Sequence, residues 1–446
     1  MRLEQHDSLL TDTDWLAKRN LPIAIVLTET LEPAGGEKAI VFPPTYAFQD
    51  DAFKRRGHHP YPISDLRLGE ADDSKLSPEA AQKAGQLANV CDLASVGAQG
   101  NPMEAAFKEE PFNSLVPQVV IKGSKTKVNL LDAGHRVADG AARFAEGFSD
   151  EAEAAINALW HRKDASALAR LAPTSLIFGF WDSRASQFKC PRLVSSTIRA
   201  TNVAVAKRSA QYVPAFEIDD LAELGDLGAD VRAAKDSEST ANPDNKNPLS
   251  QQGLLAAPAP DTHGGIRVFG EIIRRTEINL VALRALAVTA DAGLLEPESL
   301  KLRRYILGLA LVAGRAQASY NLRQGCLLAA KKGALQGAEL VFPDGTREPF
   351  SWEIGTAFEF AKLAAEEFGM YVEQPVAREF QFKPEKVVAA IKKKDAQQEA
   401  RAAQSKSRKE QAEIAKKEKA EKKATEAAAK KAAREEKAAS QSNATE

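Results

Sequence analysis

Cysteine is scarce in this chain. Among 446 residues there are three, Cys91, Cys190 and Cys326, and no two of them have the sequence spacing of a metal-binding or redox pair. No apolar run reaches the roughly 18 residues that a membrane span requires, and the first twenty residues contain no apolar stretch of signal length. The simplest interpretation is a protein of the reducing cytoplasm that does not enter the membrane.

The common enzyme signatures are also missing. The sequence contains no phosphate-binding GxxxxGK(S/T) loop, no dinucleotide-binding GxGxxG after a strand, no HExxH and no GxSxG. A hydrolytic or redox enzyme therefore has no support from these motifs, and no cofactor is predicted.

Charge is nearly balanced overall but unevenly distributed. The net charge is −1, yet the last 56 residues hold 16 Lys and Arg against 10 Asp and Glu and carry +6, which leaves −7 for the rest. Global charge thus neither favours nor excludes a nucleic-acid partner. A nucleic-acid site would have to be a local basic surface, with or without the tail.

Apolar patterning predicts an α+β fold with one large domain over residues 1–390. The domain carries insertions near 50–75 and 217–265, where composition is polar and irregular. A strand is predicted over Ile23–Leu31, which is rich in β-branched residues. The other elements that matter below are helices over 77–97 and 133–146 and strands over 174–181 and 193–205. Residues 391–446 form a low-complexity Ala/Lys/Glu tail, disordered or helical, since Ile414 is the only large apolar residue from 395 onward.

The first candidate site lies within LLDAGHRVADGAARF (130–144). On one continuous helix, Asp132, Arg136, Asp139 and Arg143 would lie on or near one face, with His135 beside them. Three interpretations stay open: a salt-bridged helix face, contacts of His135, Arg136 and Arg143 with phosphates or bases, and a metal site of Asp132, His135 and Asp139.

The second candidate is the polar segment that follows the apolar run TSLIFGFW. It places Arg184, Lys189 and Arg192 in a loop, and Ser196 and Arg199 in the strand that follows. Arginine, lysine and serine bind phosphate or sugar oxygens, and Phe188 offers a ring on which a base can stack. The alternative is a hairpin with an ordinary solvated basic tip.

Two weaker candidates complete the set. The segment VGAQGNPME allows close backbone approach at its glycines and amide contacts from Gln99 and Asn101, or it is simply a helix terminus and turn. Arg274 and Arg275 form either a positive patch or a solvated edge.

Several separated strings resemble one known family. They are SVGAQGNPMEAAF (95–107), SLVPQVVIK (114–122), NLLDAGHRVADGAARF (129–144), LAPTSLIFGFWDSR (171–184) and PRLVSSTIRATNVAVAKRSAQYVP (191–214). In this order they are similar to the CRISPR-associated RAMP proteins of the type I-U (I-G) effector, the crRNA-binding backbone subunits of the "Cas seven" kind.

This resemblance implies a ferredoxin-like or RRM-like palm with finger and thumb insertions. Copies of the chain would form a filament along a crRNA, and the guide would pair with target DNA. The other partners implied are a large subunit and a crRNA-processing subunit of the effector, and a separate helicase-nuclease. The backbone subunit would not cleave nucleic acid itself. The main alternative is a metal-dependent RAMP nuclease acting on RNA through Asp132, His135 and Asp139.

Overall fold

The computed structural model of the chain describes residues 3–11, 20–45, 61–64, 89–213, 257–290, 293–317 and 319–392, together with the single residues 398 and 425. Contacts within the chain define two units, which are described separately. The first comprises residues 1–143 and 147–380, and the second comprises 144–146 and 381–446. Among the described residues, no helix is long and apolar enough to cross a membrane.

The described part of the chain contains both strands and helices. The strands are β1 Ala24–Pro33, β2 Ile63–Ser64, β3 Val90–Ala94, β4 Val119–Lys122, β5 Lys127–Asn129, β6 Phe180–Trp181, β7 Lys189–Cys190, β8 Val194–Thr201, β9 Val203–Tyr212, β10 Ala257–Val268, β11 Ile272–Asn279, β12 Thr289–Ala290, β13 Gly293–Leu294, β14 Tyr320–Arg323, β15 Cys326–Ala330, β16 Gln336–Val341, β17 Arg347–Phe350 and β18 Arg378–Gln381. The α-helices are α1 Asp7–Leu10, α2 Val96–Ala105, α3 Gly140–Arg143, α4 Phe148–Asn157, α5 Ser166–Leu171, α6 Thr174–Phe178, α7 Leu280–Arg284, α8 Glu296–Arg315 and α9 Ile354–Phe368. The predicted α+β class is confirmed, and the arrangement is consistent with a RAMP-like fold.

A nine-stranded antiparallel sheet forms the centre of the first unit. Its main path runs β14-β15-β1-β11-β8-β3-β2, and β16 pairs with both β1 and β17. The predicted N-terminal strand is confirmed as β1, which pairs with β11 from Ala24↔Asn279 to Leu31↔Ile272. Its β-branched residues suit a strand with neighbours on both sides.

The two faces of this sheet differ sharply. Along β8 and β11 every second residue is buried, because α2 and α8 pack against β8 on that face. The alternate residues are exposed or only partly buried. We call this second side the open face.

Helices α8 and α9 form the core of the helical layer. They pack closely because Gly308 carries no side chain: a Cβ there would lie 2.7 Å from the Cα of Ala361. Leu302, Ile306 and Leu309 of α8 are fully buried. Burial of one such side chain contributes about 1.5–3 kcal/mol, so this helix pair anchors the layer that covers the sheet.

Strands β9 and β10 extend the ribbon formed by β8 and β11. The ribbon changes direction at Asn202, whose φ is 54°, and the Asn89 side chain holds the junction by hydrogen bonds to the N–H and carbonyl of Val203. We call this extension the β9–β10 arm. Residues 257–265, the last part of the predicted insertion, belong to strand β10, and pairing with β9 supplies hydrogen bonds that composition does not reveal. Residues 217–256 of that insertion lie outside the described residues, as do 50–60 and 65–75 of the other.

Two predicted elements have the opposite secondary structure. Residues 174–181, predicted as a strand, form α6 and then only the two residues of β6, with Gly179 between them at φ 70°. Cys91 and Ala94, predicted within a helix over 77–97, lie in β3, and helix α2 begins only after Ser95, whose side chain accepts a hydrogen bond from the Ala98 N–H. Residues 77–88 lie outside the described residues. A continuous apolar run is equally compatible with a buried helix and a buried strand. In these two segments tertiary contacts determine which of them forms.

The predicted helix over 133–146 is also wrong. The chain forms short 3₁₀ turns at Leu130–Asp132 and Arg136–Ala138 before the four-residue α3. Arg136 has φ 53° and interrupts any helix. Asp139 then accepts hydrogen bonds from the backbone N–H groups of His135 and Ala141 and holds the turn. The predicted single face of alternating acids and bases therefore does not form.

The second unit is small where it is described. Phe144 packs edge-on against Phe382 with ring centroids 6.3 Å apart. Lys383 forms an ion pair with Glu146 at 2.9 Å, and residues 384–392 are helical. The rest of the predicted tail, except residues 398 and 425, lies outside the described residues.

Candidate nucleic-acid interface

The open face presents polar and basic side chains from three neighbouring strands. Thr28 of β1, Arg275 of β11 and Thr197 of β8 are in register across the sheet. Arg275 is exposed and both threonines are partly buried. One step along, exposed Arg199 donates a hydrogen bond to Asp92 at 2.7 Å. Hydroxyl and guanidinium donors on an uncovered sheet are suited to phosphate and sugar oxygens.

A short hairpin precedes β8 and is organised by one buried carboxylate. Asp182 accepts hydrogen bonds from the Ser186 N–H at 2.8 Å and hydroxyl at 2.7 Å, and from Arg143 at 2.7 Å. Burial alone would raise the pKa of Asp182, but the hydrogen bonds from Ser186 and the charge of Arg143 lower it. Asp182 is therefore ionised at neutral pH and fixes the conformation of the segment 182–192, which we call the 182–192 loop.

The predicted basic residues of this loop are on its surface. Arg184, Lys189 and Arg192 are all exposed, and no ion pair of Arg184 or Lys189 is found among the described residues. Arg192 also has a structural contact, because its Nε donates to the Phe178 carbonyl at 3.0 Å. Strands β6 and β7 pair with each other, so this segment is a hairpin.

Aromatic rings border the same loop. Phe188 stacks on Trp160 with centroids 5.9 Å apart and an interplanar angle of 29°. Trp181 is 53% exposed. A cavity of about 500 Å³ lies beside them and is lined by Arg143, Asp182 and Trp160 among other residues. Exposed rings next to cations are typical of surfaces that stack unpaired bases.

The β9–β10 arm adds basic and aromatic groups beyond the other end of β8. Lys207 and Arg208 are exposed on β9, and the Arg208 guanidinium lies 5.6 Å from the Phe42 ring centroid. Arg267 lies 4.9 Å from the ring centroid of Phe269, which is 65% exposed. Of these aromatic residues, only Phe188 is a candidate by sequence pattern, and no sequence pattern points to Arg267.

Arg274, Gln99 and Ser196, also predicted as site residues, are buried beneath the sheet. Arg274 is 1% exposed and donates to Glu29 at 2.5 Å, to the Gly314 carbonyl at 3.0 Å and to Gln99 at 3.2 Å. Ser196 pairs with Thr276 at 2.8 Å. Arg274 is therefore an internal charge and not part of a positive patch, whereas its neighbour Arg275 lies on the open face. Successive side chains of a strand point to opposite faces of the sheet. A predicted strand over 272–279 would therefore have placed Arg274 and Arg275 on opposite faces.

Arg136 is buried as well. Its Nε donates to Glu104 at 2.7 Å and its Nη1 to the Gly179 carbonyl at 3.1 Å, and its guanidinium lies 5.2 Å from the Phe178 ring centroid. Burial raises the pKa of Glu104 to about 7, although the charge of Arg136 acts in the opposite direction. This pair joins α2 to the segment before β6. Of the remaining predicted residues, Asn101 and His135 are exposed.

The carboxylates of the metal-site interpretation have other partners. Asp132 forms an ion pair with Lys108 at 2.6 Å, and both oxygens of Asp139 accept backbone N–H groups. In the part of the chain that the structure describes, no three His, Cys, Asp or Glu side chains are grouped so that they could hold a metal ion.

The chain was compared with protein families and with curated proteins. No curated protein matches the chain. Residues 25–205 match the family model described as CRISPR-associated protein GSU0053 (Cas_GSU0053). The matched segment includes β1, β3, α2, the 182–192 loop, β8 and the start of β9. Over these residues the chain is therefore similar to a CRISPR-associated protein family.

Proposed function

We propose that the chain is the crRNA-binding backbone subunit of a type I CRISPR interference complex of the Cascade kind. Copies of it line up along one guide RNA in the cytoplasm, hold the sugar-phosphate backbone and leave the bases free to pair with target DNA. The subunit carries out no cleavage itself. A large subunit and a crRNA-processing subunit complete the effector, and a separate helicase-nuclease acts on the target.

The arrangement of basic side chains along β8 is the observation that carries this proposal. The 182–192 loop precedes the strand, Arg199 and Arg275 lie on the open face along it, and Lys207 and Arg208 follow it on the arm. Eight strand residues span roughly 26 Å at about 3.3 Å per residue. The three basic groups thus follow one another along β8, over a length suited to several phosphates of one extended strand.

The chemistry of the path is that of backbone contact. Arginine and lysine neutralise phosphates without distinguishing sequence. Sequence would then be determined by base pairing, as in other RNA-guided systems. The family match supports a role in CRISPR defence, and the path supports RNA as the direct ligand.

The metal-dependent nuclease is the weaker alternative. It would need Asp132 and Asp139 to leave Lys108 and the backbone donors that hold them. The proposed backbone subunit needs no such rearrangement.

The test is guide-RNA binding by the full chain with Arg184→Ala and Lys189→Ala combined. Each phosphate contact to single-stranded RNA contributes about 0.7 to the slope of log affinity against log salt. The double variant should therefore lose about 1.4 from that slope and bind about 25-fold more weakly at ~0.1 M salt. Adding Arg192→Ala should weaken binding further.

Lys301→Ala combined with Lys331→Ala is the matched control. It removes two partly buried lysines, one on α8 and one after β15, each of which is ion-paired with a glutamate. The control should bind RNA like the parent chain. Equal affinities of the loop variant and the control would refute the assignment of the loop to the RNA path.

A further inference from the structure

A second basic site lies in the helical layer, on the side of the sheet away from the open face. A cleft of about 340 Å³ opens between α4 and α5. Three arginines line it: Arg162 from the π-helical turn that follows α4, Arg170 from α5 and Arg378 from the start of β18. Helix α5 packs on α8, and α8 packs on β8, so the cleft belongs to the layer that covers the buried face.

The cleft exists because small side chains form its walls. Four alanines of α4, the π-turn and α5, together with Leu171, make up the rest of the lining apart from Glu151. Its volume is within the range of pockets that bind small ligands, about 300–1,000 Å³. The alanines leave space beside the guanidinium groups that longer residues would fill.

The charges of the cleft favour an anion. Three arginines against Glu151 give a formal charge of +2. Arg170 donates a hydrogen bond to the Phe368 carbonyl at 3.1 Å, and its guanidinium lies 4.4 Å from the centroid of the Phe368 ring. Arg378 is ion-paired with Glu151 at 2.8 Å. For the guanidinium of Arg162, no ion pair is found among the residues that the structure describes, so it retains donors for a ligand.

We propose that this cleft binds a phosphate group of a nucleic-acid strand, at a site separate from the path along β8. Arginine side chains suit this ligand because the planar guanidinium donates two parallel hydrogen bonds to phosphate oxygens. Among the described residues that line the cleft, Glu151 is the only carboxylate, so the lining keeps its net positive charge. A phosphodiester is the anion that a chain of this kind meets at high local concentration, and to that extent the inference rests on the proposed function.

At Glu151 the proposal predicts that a substitution strengthens phosphate binding instead of weakening it. Its carboxylate occupies donors of Arg378 that a phosphate would use. Glu151→Gln removes that competition and one negative charge, so it should tighten phosphate binding. If the ion pair had only a structural role, the same substitution would leave affinity unchanged.

The experiment compares variants of the full chain with a labelled single-stranded oligouridylate, by fluorescence anisotropy, and with inorganic phosphate as competitor. Arg162→Ala should weaken oligonucleotide binding about 5-fold at ~0.1 M salt, and Glu151→Gln should strengthen it by a similar factor. Ala167→Glu places a carboxylate at an exposed helical position of the cleft and should weaken binding at least as much as Arg162→Ala.

Arg378→Ala has a matched control in Arg347→Ala. Both arginines pair with an exposed glutamate, and their side chains are 48% and 51% exposed. Arg378→Ala should weaken binding and Arg347→Ala should not. The proposal would be overturned if the cleft variants bound the oligonucleotide as tightly as Arg347→Ala does. It would also be overturned if inorganic phosphate displaced the oligonucleotide while the cleft substitutions left oligonucleotide affinity unchanged.

The outcome separates the two sites. Loss of affinity in the cleft variants but not in the 182–192 loop variant would support the cleft and refute the path along β8. Loss of affinity in the loop variant alone would support the path along β8 and refute the cleft. Melting temperatures equal to that of the parent chain establish that each variant is folded.

Discussion

Arg274 and Arg275 are adjacent in the sequence, yet alanine substitutions at the two positions should have opposite consequences. Arg274→Ala removes the donor that contacts Glu29, Gln99 and the Gly314 carbonyl within the buried layer. Arg275→Ala removes an exposed side chain on the open face. The first change should reduce stability and the second should reduce RNA affinity.

The loss of stability expected for Arg274→Ala depends on the contacts that Glu29 retains. Glu29 is 6% exposed and would keep Arg315 at 2.9 Å and the Tyr320 hydroxyl at 3.2 Å. Removing one partner of a buried ion pair costs about 3–5 kcal/mol, and the retained contacts favour the lower end. With an unfolding entropy of about 0.8 kcal/mol/K for a unit of this size, the melting temperature should fall by about 4–6 °C.

The assay is thermal unfolding followed by circular dichroism, combined with RNA-binding measurements on the same samples. Arg275→Ala should change the free energy of unfolding by no more than about 0.5 kcal/mol, as exposed substitutions usually do, while it weakens RNA binding about 5-fold at ~0.1 M salt. Equal melting temperatures for the two variants, or a larger loss of stability in Arg275→Ala, would refute the assignment of the two faces.

Two further substitutions test the segment that leads into the 182–192 loop. Because burial raises the pKa of Glu104 from 4.5 to about 7, the native state keeps a proton that the unfolded state has released, and stability should fall as pH rises through this window. Glu104→Gln should flatten that part of a plot of unfolding free energy against pH, and an unchanged slope would contradict the assignment. Gly179→Ala should cost about 1–3 kcal/mol, since φ is 70° and a Cβ would lie 2.8 Å from the Cys190 carbonyl oxygen and 2.9 Å from Arg192 Cγ. Its control is Gly97→Ala in α2, where a Cβ meets nothing within 4 Å; similar denaturation midpoints for the two would contradict this account.

Local patterns were sufficient for the elements with regular hydrophobic periodicity. The β-branched segment around Ile25 predicted β1, and the strand predicted over 193–205 corresponds to β8 and the start of β9. The segment 130–144 misled because its acids and bases recur at helical spacing. The left-handed backbone of Arg136 depends on the buried Glu104, 32 residues earlier in the chain. No local pattern contains such a contact.

The site was predictable only in part for a similar reason. Arg184, Lys189 and Arg192 could be placed on a surface loop because polar residues follow an apolar run. The opposite positions of Arg274 and Arg275 depend on which side of the sheet α2 and α8 cover, and this is a tertiary property. The arginine cleft likewise joins Arg162 to Arg378, more than 200 residues apart in sequence.

The most direct test of the central claim is the RNA that accompanies the full-length chain. The chain would be expressed with its companion subunits in cells that transcribe a CRISPR array, then purified at moderate salt, and the bound RNA sequenced. We predict strong enrichment of guide sequences from the array, and loss of that RNA when Arg184, Lys189 and Arg275 are replaced by alanine together. Well-folded protein that carries no RNA, or carries cellular RNA in proportion to its abundance, would contradict the claim.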